Sequence, residues 1–178
     1  MRLLVVRHGR TDWNDLKKVQ GLADIELNET GKMQAKEVAK SLEDENIDLI
    51  ICSPLKRTRQ TASIINEEKN IDIIYDDRIK ERDFGEFEGL NRNEFDYFGY
   101  WTYSKNYQYK KAENIQDFFK RIFGFLDDIK QKYKDKTVLL VIHGGVSVAI
   151  NSYFEGLPKD DEPTKNALQN CQVKEFKL

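Results

Sequence analysis

The chain is poor in several things, and each shortage excludes something. Its 178 residues hold two cysteines, Cys52 and Cys171, which make neither a disulfide framework nor a metal-ligand spacing. A reducing cytoplasm is the simplest compartment for such a chain. An excess of charge of one sign is also missing. Lysine plus arginine number 29 and aspartate plus glutamate 31, a net −2, so electrostatics gives no reason to expect nucleic acid or an anionic membrane as a partner. No apolar run nears the roughly 20 residues of a membrane span. The chain opens on a strand, so no signal peptide is expected. Internal repeats and low-complexity linkers are lacking too. The shortage that matters most is histidine, of which there are two, His8 and His143.

What is present is ordinary for one globular domain over residues 1–178: 39% hydrophobic and 34% charged residues, enough for a sizeable core. Met1 to Val6 is an apolar run suited to a buried parallel strand, and Arg7-His8-Gly9-Arg10-Thr11 follows it. Thr137 to Ile142 is a second such run, followed by His143-Gly144-Gly145. Both histidines thus sit just past a strand and before a glycine. If the two strands are parallel neighbours, the imidazoles face one crevice, where open α/β sheets place their ligands.

Between these runs, Thr11 to Leu27 reads as loop. A helix starts at Asn28 or Thr30, with Ala35, Val38, Ala39 and Leu42 on its inner face. Asp48 to Cys52 is a strand, and Ser53-Pro54 opens the next helix, with Pro54 in its first turn. That puts Arg57 at a strand's carboxyl end, where backbone N–H groups already favour an anion, while Arg59 points elsewhere. Ile71 to Tyr75 is a third strand. The loop after it carries Glu81, Asp83, Glu86 and Glu88, four candidates for a general acid that composition does not separate. Residues 91–111 are crowded with aromatics and read either as packing or as a lid over a substrate. Glu113 to Tyr133 is an amphipathic helix, Gly145 to Phe154 a buried one, and Gln172 to Leu178 an edge strand. Alternation of strands and helices predicts a three-layer α/β/α sandwich on a mostly parallel sheet with right-handed crossovers.

Arg7-His8-Gly9-Arg10-Thr11-Asp12-Trp13-Asn14 resembles the RHG signature of the histidine phosphatase superfamily, the phosphoglycerate mutase-like proteins. Gln20-Gly21 with Leu27, Gly31, Gln34 and Ala35, then Ser53 to Ala62, Glu81 to Gly89 and Ile142 to Gly145 resemble further blocks of that family, in its order and along the whole chain. The resemblance implies a phosphoglycerate mutase-like fold and a nucleophilic His8 that forms a phosphohistidine. It implies that Arg7, Arg57 and His143 hold the phosphoryl oxygens, and that Glu81, of the four carboxylates, donates the proton. Asn14, Gln20, Gly21 and Gly144 would line the phosphate or substrate pocket.

The activity so implied is hydrolysis of a small phosphorylated metabolite, with no cofactor and no metal. Arg10 stands where many members carry Glu or Gln. The 91–111 stretch is shorter than the insertion of glycolytic mutases and has no evident paired-arginine element, which favours hydrolysis over phosphoglycerate mutase activity. A non-catalytic module that holds a phosphorylated ligand is the further alternative.

Overall fold

The computed structural model describes residues 1–158 and 161–178. Five strands form one sheet: β1 (Arg2–Arg7), β2 (Leu49–Cys52), β3 (Ile73–Tyr75), β4 (Thr137–Ile142) and β5 (Val173–Lys177), in the order β3-β2-β4-β1-β5. The first four are mutually parallel and β5 runs antiparallel on one edge. The central strands are apolar at their buried positions because helices cover both faces. The pleat sends alternate residues to opposite sides.

Leu3 and Val5 of β1, with Val138, Leu140 and Ile142 of β4, join one core. Into it pack α5 (Ile115–Lys132) and α6 (Gly144–Glu155). Leu4 and Val6, with Leu139 and Val141, join the other, under α2 (Glu29–Ser41) and α3 (Lys56–Ile65). The result is the expected α/β/α sandwich. α5 follows the apolar spacing: Ile115, Phe118, Phe119, Ile122, Phe125, Leu126 and Ile129 are all buried. Asn28 and Asn114 cap α2 and α5 with their side-chain oxygens.

Three local expectations differ from the structure. The stretch from Thr11 is not all loop. Asp12–Asp15 forms one helical turn, α1, because Thr11 and Asn14 exchange side-chain and backbone hydrogen bonds in a capping box. Pro54 precedes α3 instead of sitting in its first turn, since Leu55 is the extended residue at that helix's start. Strand β3 begins at Ile73 rather than Ile71, whose backbone bonds the Asn66 side chain instead of the sheet.

Residues 91–111 hold one short helix, α4 (Tyr97–Trp101), capped by Asp96. Tyr100 and Trp101 are 1% and 4% exposed. They pack with Phe84, whose ring stacks on Tyr100 at 4.6 Å, and Trp101 meets Phe118 edge-on at 6.2 Å. Most of the aromatic crowding is thus core, while Tyr97, Phe98 and Trp101 also line a cavity. No helix among the described residues is long and apolar enough to cross a membrane.

Candidate active site

The carboxyl ends of β1, β2 and β4 meet at one rim. Arg7 pairs with Ile142 in register, so His8 and His143, the next residue of each strand, come to the same level. Their ring centroids lie 5.4 Å apart with the planes inclined at 60°. Both are buried. Below them opens a cavity of about 1000 Å3 lined by residues from every predicted block, among them Arg7, His8, Arg57, Glu81 and Gly144.

The hydrogen bonds assign the protons. His8 Nδ1 lies 2.7 Å from the Gly9 carbonyl oxygen. A carbonyl only accepts, so Nδ1 carries the hydrogen and the lone pair is on Nε2. Burial, followed by the charges of Arg57 and Arg7, holds this imidazole well below its ordinary value, and it is neutral at pH 7. His143 has the opposite pattern. Its Nδ1 accepts from Arg57 Nε at 3.2 Å, so Nε2–H donates to Ser53 Oγ at 2.7 Å. Burial and then Arg57 keep it neutral as well.

Arg57 is 1% exposed. Besides His143, it donates to the carbonyls of Ala23 at 2.7 Å and Gly21 at 2.8 Å. All three acceptors are neutral, and burial lowers the guanidinium to about 10, so it stays a cation at pH 7 with no carboxylate bonded to it. Arg7 donates from Nη1 to the Leu168 carbonyl at 2.7 Å, and its buried Nε has no partner. Two guanidinium groups bonded to neutral acceptors, beside the N-terminus of α6, make a site for an anion.

Glu81 faces the same space. Its Oε2 accepts from the Gly145 backbone at 2.9 Å and its Oε1 from the Arg82 backbone at 3.0 Å, which fixes the carboxylate's direction. The other three acidic candidates are elsewhere. Asp83 accepts from Gly85 N at 2.7 Å. Glu88 accepts from Leu22 N at 2.7 Å, and burial raises its pKa. Glu86 is at the surface.

The remaining predicted residues divide by role. Gln20 is buried, and its Oε1 has no partner. Gly21 lines the cavity at φ +50°, and a Cβ there would lie 2.1 Å from Glu88 Oε1. Asn14 also lines it, and its Oδ1 accepts from Thr11 N at 3.1 Å and Asn170 Nδ2 at 3.3 Å, which fixes the direction of its amide. Gly144 leaves room for Arg7, whose Cζ would be 3.2 Å from an added Cβ. Arg59 points away, over the ring of Tyr75.

Several site residues escaped the sequence reading. Ser53 follows β2 as His8 follows β1, so the same strand-end signal would have found it. Asn170, which donates to the His8 carbonyl at 2.9 Å, carries no local signal. Nor do Lys17, Lys18 and Arg92, which line the cavity's rim.

A neutral imidazole with an open nitrogen, two arginines and a carboxyl at the carboxyl edge of a parallel sheet define an enzyme of phosphoryl-group chemistry. The family model described as "Histidine phosphatase superfamily (branch 1)" matches residues 3–178, and the chain belongs to that family, whose activity here is that of a phosphatase.

Among curated relatives, it is 38% identical over 179 residues to a protein of Bacillus subtilis called uncharacterized phosphatase PhoE, covering 97% of this chain and 89% of that one. It is 36% identical over 149 residues to phosphoserine phosphatase 1 of Hydrogenobacter thermophilus, covering 80% and 71%. Among solved structures, Bacillus stearothermophilus YhfR superposes with a TM-score of 0.90 at 27% identity, covering 99% of this chain and 91% of that one.

Proposed function

We propose that the chain is a single-domain, cytoplasmic, metal-independent phosphatase that hydrolyses a small phosphomonoester through a phosphohistidine on His8. The observation that carries this is the state of His8: Nδ1–H is tied to Gly9 O at 2.7 Å, so Nε2 keeps its lone pair beside two cations. Nε2 attacks phosphorus, the ester P–O bond breaks, and Glu81 in its acid form gives its proton to the leaving oxygen. Glu81, now a carboxylate, takes a proton from water. The water oxygen attacks phosphorus, the P–N bond breaks, and inorganic phosphate leaves.

Arg7 and Arg57 stabilise the charge spread over the equatorial oxygens in both steps. His143 reaches an oxygen by switching its Nε2–H away from Ser53 Oγ. Asn14, Gln20 and the backbone at Gly21 and Gly144 complete the pocket. The named activity of the Hydrogenobacter relative supports a small phosphorylated metabolite as substrate, and neither nucleic acid nor membrane enters the reading. Residues 91–111 serve as a lid through Tyr97, Phe98 and Trp101.

The test is phosphate release from a panel of phosphomonoesters, with phosphoglycerate isomerisation assayed beside it and EDTA present in parallel. Expected is phosphate release that EDTA leaves undiminished. Isomerisation without net phosphate release would overturn hydrolysis in favour of the mutase reading. Tight phosphate-ester binding with no turnover would mark a binding module.

A further inference from the structure

The peptide unit between His8 and Gly9 is bonded at both of its polar groups, although β1 ends one residue earlier, at Arg7. Its partners are side chains from distant parts of the chain. The Gly9 N–H donates to Thr61 Oγ1 at 3.1 Å. The His8 carbonyl accepts from Asn170 Nδ2 at 2.9 Å. The Gly9 backbone also lies against the start of α2, since a Cβ there would fall 2.4 Å from the Gly31 carbonyl oxygen.

Each partner is itself fixed. Thr61 is buried and stands one helical turn after Arg57 on α3. Its hydroxyl donates to the Arg57 carbonyl at 2.7 Å, which leaves a lone pair for Gly9. One helix thereby reaches both imidazoles, His143 through Arg57 Nε at 3.2 Å and His8 through Thr61. Asn170 is half-buried. Its Nδ2 also donates to Asn14 Oδ1 at 3.3 Å, so both amide hydrogens are used. The following residue, Cys171, donates from its backbone to Arg7 O at 3.0 Å, which ties this segment to the end of β1.

This peptide controls where the hydrogen of His8 sits. Neutral imidazole free in water favours the hydrogen on Nε2, and that tautomer has no lone pair there to attack with. In a folded chain the tautomer is set by the bond that the other nitrogen makes. Here the bond is to Gly9 O, 2.7 Å from Nδ1. Glycine has the freest backbone of any residue. Turning the His8–Gly9 plane would redirect the chain at Gly9 and carry that oxygen away from Nδ1.

We infer that Thr61 and Asn170 are positioning residues that clamp the His8–Gly9 peptide at its two ends and so keep the hydrogen of His8 on Nδ1. This inference rests on the phosphohistidine reading above and deepens it. Both side chains act through the peptide, and neither takes part in the transfer of the phosphoryl group or of a proton.

The experiment reads the tautomer directly, by 15N NMR of the full chain labelled in its histidine rings, at pH 8 where both imidazoles are neutral. The chain has two histidines, so two sets of ring signals appear, and His143→Gln identifies those of His8. Expected for the parent is a His8 pattern with hydrogen on Nδ1. Thr61→Val keeps the shape of the side chain but removes the hydroxyl, and Asn170→Asp keeps the shape but removes both donors. Each should shift His8 toward the Nε2–H pattern. Each should also lower kcat on an alkyl phosphate by about tenfold or more, with KM changed much less, as misplacement of a reacting group does. Thr61→Ser, which retains the hydroxyl, should restore the parent pattern. If the buried Thr61→Val variant does not fold, Asn170→Asp, at a half-exposed position, decides the matter. A folded variant that keeps the parent pattern, whatever its kcat, overturns the assignment for that residue. A parent with hydrogen already on Nε2 overturns it for both. Phosphate release by the parent alongside unresponsive spectra leaves the phosphatase reading intact. A parent that releases no phosphate, while the tautomer responds to both variants, removes that reading and keeps the clamp.

Discussion

Glu81 and Gly145 meet so closely that no side chain fits between them. The backbone N–H of Gly145 bonds Glu81 Oε2 at 2.9 Å, and a Cβ on Gly145 would fall 2.3 Å from Glu81 Oε1 and 2.6 Å from Trp101 Cη2. Gly145→Ala should therefore displace Glu81, the proposed proton donor, while sparing the rest of α6. Displacement of a catalytic group by about 1 Å costs up to about 10²-fold, and kcat on an alkyl phosphate is expected to fall by about that much. Wild-type kcat in this variant would show that Glu81 need not be held there.

Glu81→Gln separates proton donation from binding. A general acid contributes about 10²–10⁴-fold, so hydrolysis of an alkyl phosphate should slow by that range. With p-nitrophenyl phosphate, whose leaving group needs no proton, the first step should be nearly spared. A burst of nitrophenol ahead of slow turnover is the expected signature in a stopped-flow trace.

His8→Ala should abolish turnover and the covalent intermediate together. Quenching the parent enzyme and radiolabelled substrate in alkaline detergent is expected to trap an acid-labile, base-stable phosphoprotein, and the variant none. Phosphatase activity surviving in the variant would sink the nucleophile assignment. Arg57→Lys should retain a charge but lose the fork that donates to His143, Ala23 and Gly21. Loss of one preorganised donor group costs about 10²–10³-fold in kcat.

The pH dependence follows from the two buried imidazoles. Both are lowered well below the ordinary value, first by burial and then by Arg57. In the unfolded chain they protonate near pH 6.5, whereas the native state resists protonation. Above that pH neither state binds the protons and stability is unaffected. Below it the unfolded state gains protons that the folded one does not, so stability falls as pH drops. Urea midpoints measured from pH 7.5 to 5 should decline, and less so in His143→Gln. By the same sign, the acid limb of kcat/KM should lie below pH 6.5, because His8, the proposed nucleophile, remains unprotonated there.

Trp101 tests the proposed lid. Vanadate binding should change tryptophan fluorescence in the parent, and the change should be largely lost in Trp101→Phe, which retains Trp13. Equal responses in the two proteins would remove Trp101 from the moving part.

Much of this was legible in the residues. Apolar runs that break at Arg7-His8, at Ser53 and at His143 mark strand ends, because the middle of a buried parallel strand is poorly suited to polar groups. Helix faces and caps were equally readable from periodicity. The Thr11–Asn14 turn was not, since a capping box over four residues hides inside loop-like composition. The choice among Glu81, Asp83, Glu86 and Glu88 was likewise out of reach of spacing, and rested on family resemblance until the coordinates showed which of them lines the cavity.

By itself, then, the order of residues determined the layers, the strand ends and the pool of reactive side chains, because those depend on local hydrophobic period and on where it breaks. Tertiary structure alone decided which imidazole keeps an open nitrogen, which carboxyl meets Gly145, and that Lys17, Lys18 and Arg92 share one rim. Those depend on hydrogen bonds and close approaches between segments far apart along the chain, and no local pattern encodes a neighbour it does not contain.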